Sequence, residues 1–329
     1  CCGAGVDLVA IAGRASAKGI DCDSSLLKLT AANLRSHDRG AALKPANIGE
    51  HDLSTFDANT WLHIDPDRRP AGKKTLDAQL FSPPLAPVLQ AAMRSRGAIV
   101  KLASSTRFNS ETAELLAKRS TRLWLGSLGE CKQQLLLFGA ARASLDGSLI
   151  PDIRPEGQAI DASTGENRRY AVIAIPNDGA MDGDIKQLVF ASFEAEMNRL
   201  QTSLCTSLGP YIFDLHNVLH AADLAQDWAS QHDLQAISGR QGFYTADRNW
   251  HTPWVQCFKI LEELAWDDRK VRKALRRWDA GIVEVKCRLV KLDANYYQRR
   301  YSAPNGRALV LLVTRFRERV RCIIAERTL

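Results

Sequence analysis

Hydrophobic positions over roughly the first 140 residues alternate between two patterns: short apolar runs, and longer stretches with apolar residues three or four apart. The chain opens on "CCGAGVD", a glycine turn leading into a short helix at about 6–14. "AKGIDCD" (17–23) reads as a short strand ending on acids. "SSLLKLTAANLRSH" (24–37) reads as a helix, with Ser24 as N-cap and Leu26, Leu27, Thr30 and Leu34 on one stripe. A strand near "PANIGEHD" follows, then another in "WLHIDPD". "SPPLAPVLQAAMRSRG" (82–97) has prolines at a helix entrance and glycine at its exit, and "AIVKLAS" (98–104) is a further strand. This alternation predicts a parallel α/β sheet with helices on both faces.

The pattern changes after about residue 120. "TRLWLGSLGECKQQLLLFGA" reads as two strands around a Leu-Gly-Glu turn, an antiparallel hairpin at the edge of the sheet. Residues 143–206 are read as a linking stretch, rich in Gly, Pro, Asp and Asn over its first part, with "YAVIAI" as a strand. A second, α+β unit is expected over 207–329, after a first domain over 1–142. It starts with "GPYIFDLHNVLHAADLAQDWASQHD", a short hairpin-like opening and a helix. Next come a strand and a basic helix stopped by Gly281, the alternating strand "IVEVKCRLV", and a helix capped by Asp293. "RALVLLVTRFRERVRCIIAER" closes the chain as a hairpin.

Composition adds limits. With 329 residues, 45% hydrophobic and 25% charged, the chain has room for two packed domains. The apolar run "ALVLLV" at 308–313 suits a buried strand and is far too short to span a bilayer. Eight cysteines without a CxxC pair point to reduced thiols in a cytoplasmic protein. The chain starts at Cys1 rather than methionine and is read as a truncated product. Net charge is +7, unevenly spread: residues 269–329 hold 17 Lys/Arg against 5 Asp/Glu, or +12, leaving −5 for the rest. A basic C-terminal segment points to a polyanionic partner or, equally, to a well-solvated helix face.

The candidate chemistry lies at the ends of the early strands. Glycine lets the backbone of "CCGAGVD" approach a ligand, and a helix N-terminus presents free N–H groups. Asp21 lies 18 residues beyond Gly3, at the end of the next strand, where an acid accepts hydrogen bonds from ribose hydroxyls. Asp23 reads as a first-turn acid of the helix. Asp52, ending the third strand, suits an adenine amino group. An adenosine-containing ligand fits this set, either a dinucleotide or S-adenosylmethionine. Asp65-Pro66-Asp67 then ends the fourth strand, followed by Arg68 and Arg69.

In "CCGAGVD", "GIDCD", "IDPDRR", "FSPPL", "GAIVKLASS" and "LGE", and in "GFYTAD", "WVQCFKILEELAWDDRKVRKAL" and "GIVEVKCR" further on, the chain resembles class I methyltransferases carrying a C-terminal THUMP-like domain. The resemblance covers nearly the whole length. It implies a Rossmann-like methyltransferase sheet with a terminal antiparallel hairpin, then a smaller α+β THUMP-like domain. It also implies S-adenosylmethionine bound around Gly3, Gly5, Asp7, Asp21 and Asp52, and an RNA substrate such as tRNA or rRNA. Asp65 would accept a hydrogen bond from an acceptor amine or ring N–H, and Pro66 would stiffen the loop. Arg68 and Arg69 would hold a phosphate or carboxylate, unless one of them pairs with Asp67. Lys101 would face the same cleft or snorkel outward, with snorkelling favoured. On the basic helix, Val271, Ala274, Leu275 and Trp278 form the inner stripe, and Arg276 and Arg277 stand among the outward cations, ready for RNA phosphates. His216 and His220, four apart in a strand–turn segment without a third ligand, are not expected to bind metal. Two other readings stay open: a methyltransferase acting on a small molecule or protein, and a non-catalytic RNA-binding protein.

Overall fold

The computed structural model describes residues 1–48, 56–69, 72, 75–146, 169–176, 185–193, 202–239 and 241–328, with 144–146 and 185–193 described by backbone alone. Helix α1 (Val6–Ala12) leaves a turn whose Gly3 and Gly5 take left-handed φ of +54° and +85°. β1 (Lys18–Asp21) runs parallel to β2 (Ala42–Pro45), with α2 (Ser24–Ser36) as the crossover. The cap of α2 is Asp23, not Ser24: its carboxylate accepts the Ser25 and Leu26 N–H groups, and Ser24 is the first helical residue. β2 comes earlier than the expected strand at 45–52. Leu43 packs over the bare Cα of Gly19 and fixes the register, and Pro45 lies at the strand's end. The expected position of Asp52 lies outside the described residues.

β3 (Trp61–Ile64) pairs parallel with β4 (Gly97–Leu102) across α3 (Leu85–Arg94). Even-numbered residues Ile64, Val100 and Leu102 bury into one cluster with Leu85, Val88 and Leu89 of α3. Gly97 does not terminate the helix, which ends two residues earlier at Ser95. It opens β4, where a Cβ would strike the Trp61 ring at 2.6 Å. After α4 (Ser110–Arg119), β5 (Thr121–Ser127) and β6 (Glu130–Gly139) form a hairpin whose two turn residues, Leu128 and Gly129, both have positive φ. β6 lies antiparallel against β4. With α5 (Ala140–Asp146) between the hairpin and them in the chain, β7 (Arg169–Pro176) and β8 (Ile185–Phe193) continue the sheet in the order β3-β4-β6-β5-β7-β8. The hairpin therefore lies inside the sheet and not at its expected edge, because β7 and β8 extend it beyond β5.

Among the described residues β1 and β2 form a two-stranded sheet of their own, and a third sheet has the order β10-β11-β9-β12-β15-β14-β13. Its strands are β9 (Tyr211–Leu215), β10 (Gln235–Ala236), β11 (Tyr244–Ala246), β12 (Val255–Ala265), β13 (Ala280–Cys287), β14 (Arg307–Phe316) and β15 (Arg319–Arg327). No hairpin opens this unit: β9 is followed by α6 (Asn217–Ala221) and α7 (Ala225–Gln231) and pairs with β11 and β12. α8 (Asp268–Arg277) and α9 (Ala294–Tyr301) pack Val271, Leu275 and Tyr301 over Val283, Leu309 and Leu311. Gly281 does not stop α8. The chain reverses at Asp279, with φ of +52°, and Gly281 lies inside β13 because a Cβ would meet the Gly306 carbonyl at 2.7 Å.

The chain divides into two compact units. One comprises Cys1–Leu125, Lys132–Val172 and Phe190–Ala195; the other comprises Gly126–Cys131, Ile173–Val189 and Glu196–Leu329. No helix among the described residues is long and apolar enough to cross a membrane.

Candidate functional site

Three chain segments of the first unit meet at the C-terminal ends of β1 and β3. The glycine turn is one. Gly5 N–H donates to the Cys2 carbonyl at 2.8 Å, and α2 holds the turn from behind: Thr30 Oγ1 donates to the Gly3 carbonyl at 2.6 Å and Asn33 Nδ2 to the Ala4 carbonyl at 2.8 Å. The second is the end of β1. Asp21, only 6% exposed, accepts the Gly3 N–H at 2.8 Å and the Asp23 N–H at 3.0 Å. Burial raises its carboxyl pKa, but those two hydrogen bonds together with the Cys1 ammonium 3.6 Å away outweigh burial and hold it below the usual carboxylate range.

The third segment is the loop after β3. Asp67 exchanges backbone hydrogen bonds with Ser82 at 2.8 and 2.9 Å, so the loop is pinned to the approach of α3. One Asp67 carboxylate oxygen accepts the Arg69 backbone N–H at 2.9 Å, closing a turn on itself rather than pairing with a guanidinium. Pro66 is buried, while Asp65 and Asp67 are exposed toward the space above.

A cavity of about 750 Å³ lies among these segments, within the range of small-molecule sites. Gly3, Gly5, Asp7 and Asp21 line it, as do Asp65 through Arg69 and Lys101. Leu26, Asn47 and Ile48 add an amide and two apolar side chains. The lining holds five carboxylates against three cationic side chains, so the cavity has a negative balance.

Lys101 does not snorkel. Parallel pairing sets Ile64 beside Val100, which brings Asp65 beside Lys101 one step further on, on the same face of the sheet as His63. α1 covers that face with Asp7. The Lys101 ammonium lies 2.7 Å from Asp7 Oδ2 and 3.2 Å from Asp65 Oδ2, and its side chain is 19% exposed. Burial works against the charged form, but the Asp7 hydrogen bond and the two carboxylate charges outweigh it, so the ammonium titrates above the ordinary lysine value. His63 Nε2 lies 3.9 Å from the same Asp7 oxygen. Burial pushes this imidazole below its usual pKa, against the pull of Asp7 and Asp65. Sequence reasoning passed over His63. The signal was its parity with Asp65 in "HID", two residues apart and therefore on one face of a strand.

Arg276 and Arg277 lie on α8 in the second unit. With Arg269, Arg272 and Lys273 they line an open depression of about 580 Å³. Arg277 donates to Glu262 at 2.5 Å, and Arg272 pairs with Asp268 at 2.9 Å. Beside them on α9, Tyr296 is 47% exposed, with the Arg300 guanidinium 5.9 Å from its ring centre. His216 is the N-cap of α6, its Nδ1 accepting the Val218 N–H, and neither ring nitrogen of His220 has a hydrogen-bond partner among the described residues.

Residues 255–327 match the THUMP domain-like family. Two Mycobacterium tuberculosis proteins, from strains CDC 1551/Oshkosh and ATCC 25618/H37Rv, are described as uncharacterized S-adenosylmethionine-dependent methyltransferases. They are each 25% identical to this chain over 315 residues, covering 95% of it and 75% of their own length. A crystal structure from Porphyromonas gingivalis W83, of a protein assigned as a methyltransferase, superposes with a TM-score of 0.69 at 13% identity. The superposition covers 99% of this chain and 75% of that one, and it establishes a shared fold.

Proposed function

We infer that the chain is an S-adenosylmethionine-dependent methyltransferase with a C-terminal THUMP-like domain, and we propose RNA as the substrate it methylates. The observation that carries this reading is the convergence of the glycine turn, Asp21 and the Asp65–Arg69 loop on one negatively balanced cavity.

The residues present fit the cofactor. Gly3 lets the backbone line the cavity without a Cβ, and Gly5 lets the turn close against Thr30 of α2. Asp21 keeps acceptor lone pairs beyond its two backbone bonds and stands where ribose hydroxyls are read. Leu26 and Ile48 with Asn47 suit the faces and edge of a purine. The excess of carboxylates suits a cationic ligand. When bound, S-adenosylmethionine supplies a methyl group already activated on a sulfonium. The chain therefore has two tasks, to orient the acceptor and to manage a proton. Asp65, at the strand end, accepts the acceptor's N–H. Pro66 and the Asp67–Ser82 pairing hold that carboxylate's loop in place. Arg68 and Arg69, without ion-pair partners among the described residues, receive a substrate phosphate.

RNA is favoured by the depression on α8, where five cations stand together beside an exposed tyrosine. The eight free thiols suit a reducing compartment, and we place the protein in the cytoplasm. Mass spectrometry of RNA nucleosides from cells with and without the gene should reveal one methylated nucleoside that disappears. With that RNA as substrate, Asp65→Ala should lower kcat by about 100-fold or more while calorimetric affinity for the thioether product S-adenosylhomocysteine, which does not feel the lost charge, stays near wild type. Equal loss of both would remove Asp65 from the assigned role.

A further inference from the structure

We propose that Lys101 is a positioning residue of the methyl-transfer site, its ammonium tying Asp7 of α1 to Asp65 and so fixing the Asp65 carboxylate on the floor of the cavity. This rests on the methyltransferase reading and deepens it.

The geometry is specific. One nitrogen lies within salt-bridge distance of two carboxylates that come from different elements, at 2.7 and 3.2 Å. The side chain turns onto the two carboxylates and is four-fifths covered. The charged and titratable groups around it come from each neighbouring element: Asp7 from α1, His63 from β3, and Asp65 with Arg68 and Arg69 from the loop. On the other side, β6 places the uncharged Leu135 opposite Lys101. Asp65 is 48% exposed, and no other described side chain forms an ion pair with it. Without Lys101 its carboxylate faces Asp7 as a second anion and is free to swing into the cavity.

Charge then separates two properties that a merely structural lysine would move together. Asp7, Lys101 and Asp65 sum to −1; without the lysine they sum to −2. A cationic cofactor gains attraction from that change, whereas its neutral thioether product, S-adenosylhomocysteine, gains none. The glycine turn should survive, since Thr30 and Asn33 hold it independently of Lys101.

The test uses the full-length protein, calorimetry with S-adenosylmethionine and S-adenosylhomocysteine, and turnover on total RNA from cells lacking the gene. Lys101→Met should lower kcat at least tenfold, while the affinity ratio of S-adenosylmethionine to S-adenosylhomocysteine rises severalfold. Lys101→Arg should recover most of the turnover and the wild-type ratio. In the wild-type protein, a sheltered Lys101 side-chain ammonium should give a resolved ¹⁵N-correlated NMR signal that moves in both Asp7→Asn and Asp65→Asn. The proposal is overturned if Lys101→Met keeps kcat within twofold, or if both ligands weaken by the same factor. It is overturned as well, even where Lys101→Met fails to fold, if the ammonium signal ignores Asp65→Asn. Failure of the methyltransferase reading is distinct: wild-type protein would bind neither ligand and transfer no methyl group.

Discussion

At the scale of single residues, the two glycines of the turn make different demands. Gly5 is constrained twice, by a φ of +85° and by Thr30, whose Cγ2 would lie 2.6 Å from an added Cβ. Gly3 has a φ of +54°, but nothing lies within 4 Å of the Cβ position, which opens on the cavity. Gly3→Ala should therefore cost about 1–2 kcal/mol from left-handed strain alone and weaken S-adenosylmethionine binding at least tenfold, because the new methyl occupies ligand space. Gly5→Ala should cost more, since Thr30 is fully buried and cannot retreat. Thermal unfolding and calorimetry on the two variants check this. A Gly3→Ala protein with unchanged affinity would show that the ligand does not approach the turn. Both glycines were legible in the sequence, as was Asp21. The cap Asp23 was not separated from Ser24, because either residue type can accept the same N–H groups and only the backbone path decides.

At the scale of elements, apolar runs and proline and glycine boundaries located β3, β4 and α3, since every cue lies within a few neighbouring residues. What periodicity could not supply was pairing. Lys101 reads as a lone cation in an apolar strand, and only the β3–β4 register together with α1 reveals where it points. For the same reason β2 was placed too late, its position being set by Leu43 over Gly19 rather than by its own composition. Helix α8 is the opposite case, with both faces read from the sequence and an inner stripe of Val271, Ala274 and Leu275. Its cations are nevertheless not equivalent. Arg277 is already engaged with Glu262, whereas no ion pair is formed by Arg276 among the described residues. Arg276→Glu should therefore weaken binding of the target RNA more than Arg277→Glu. The double variant should lower the slope of log affinity against log salt concentration by about 1.5, as expected for two lost phosphate contacts. Fluorescence anisotropy across a salt series measures both, and an unchanged slope would take RNA away from α8.

At the scale of the whole molecule, the two units carry different responses to acid. Burial depresses the pKa of both His216 and His220 in the second unit to about 4, from an ordinary value of 6.5. Such groups stay neutral in the fold but take up protons in the unfolded chain below pH 6.5, so their stabilisation is complete above that pH. It is lost as pH falls from 6.5 through 4, by on the order of 3 kcal/mol for the deeply buried His220 and by less for the partly exposed His216. In the first unit the buried carboxylate Asp21 has its pKa lowered instead, so its contribution persists above the ordinary carboxylate range and fails only in stronger acid. His63 shifts in the same direction as the two histidines of the second unit, partly offset by Asp7 and Asp65. The second unit should therefore open first as pH falls from 6.5 toward 4. Hydrogen exchange followed by mass spectrometry on peptides from each unit would show 211–328 losing protection before 1–125. His220→Leu provides the internal control. Its ring nitrogens have no partners among the described residues, so an apolar side chain of similar reach removes an unmet polar burial along with the titration. That variant should match or exceed wild-type stability at pH 7 and keep more of it at pH 4.5. A second unit that stays as acid-sensitive in the His220→Leu protein as in wild type would assign the transition to other groups.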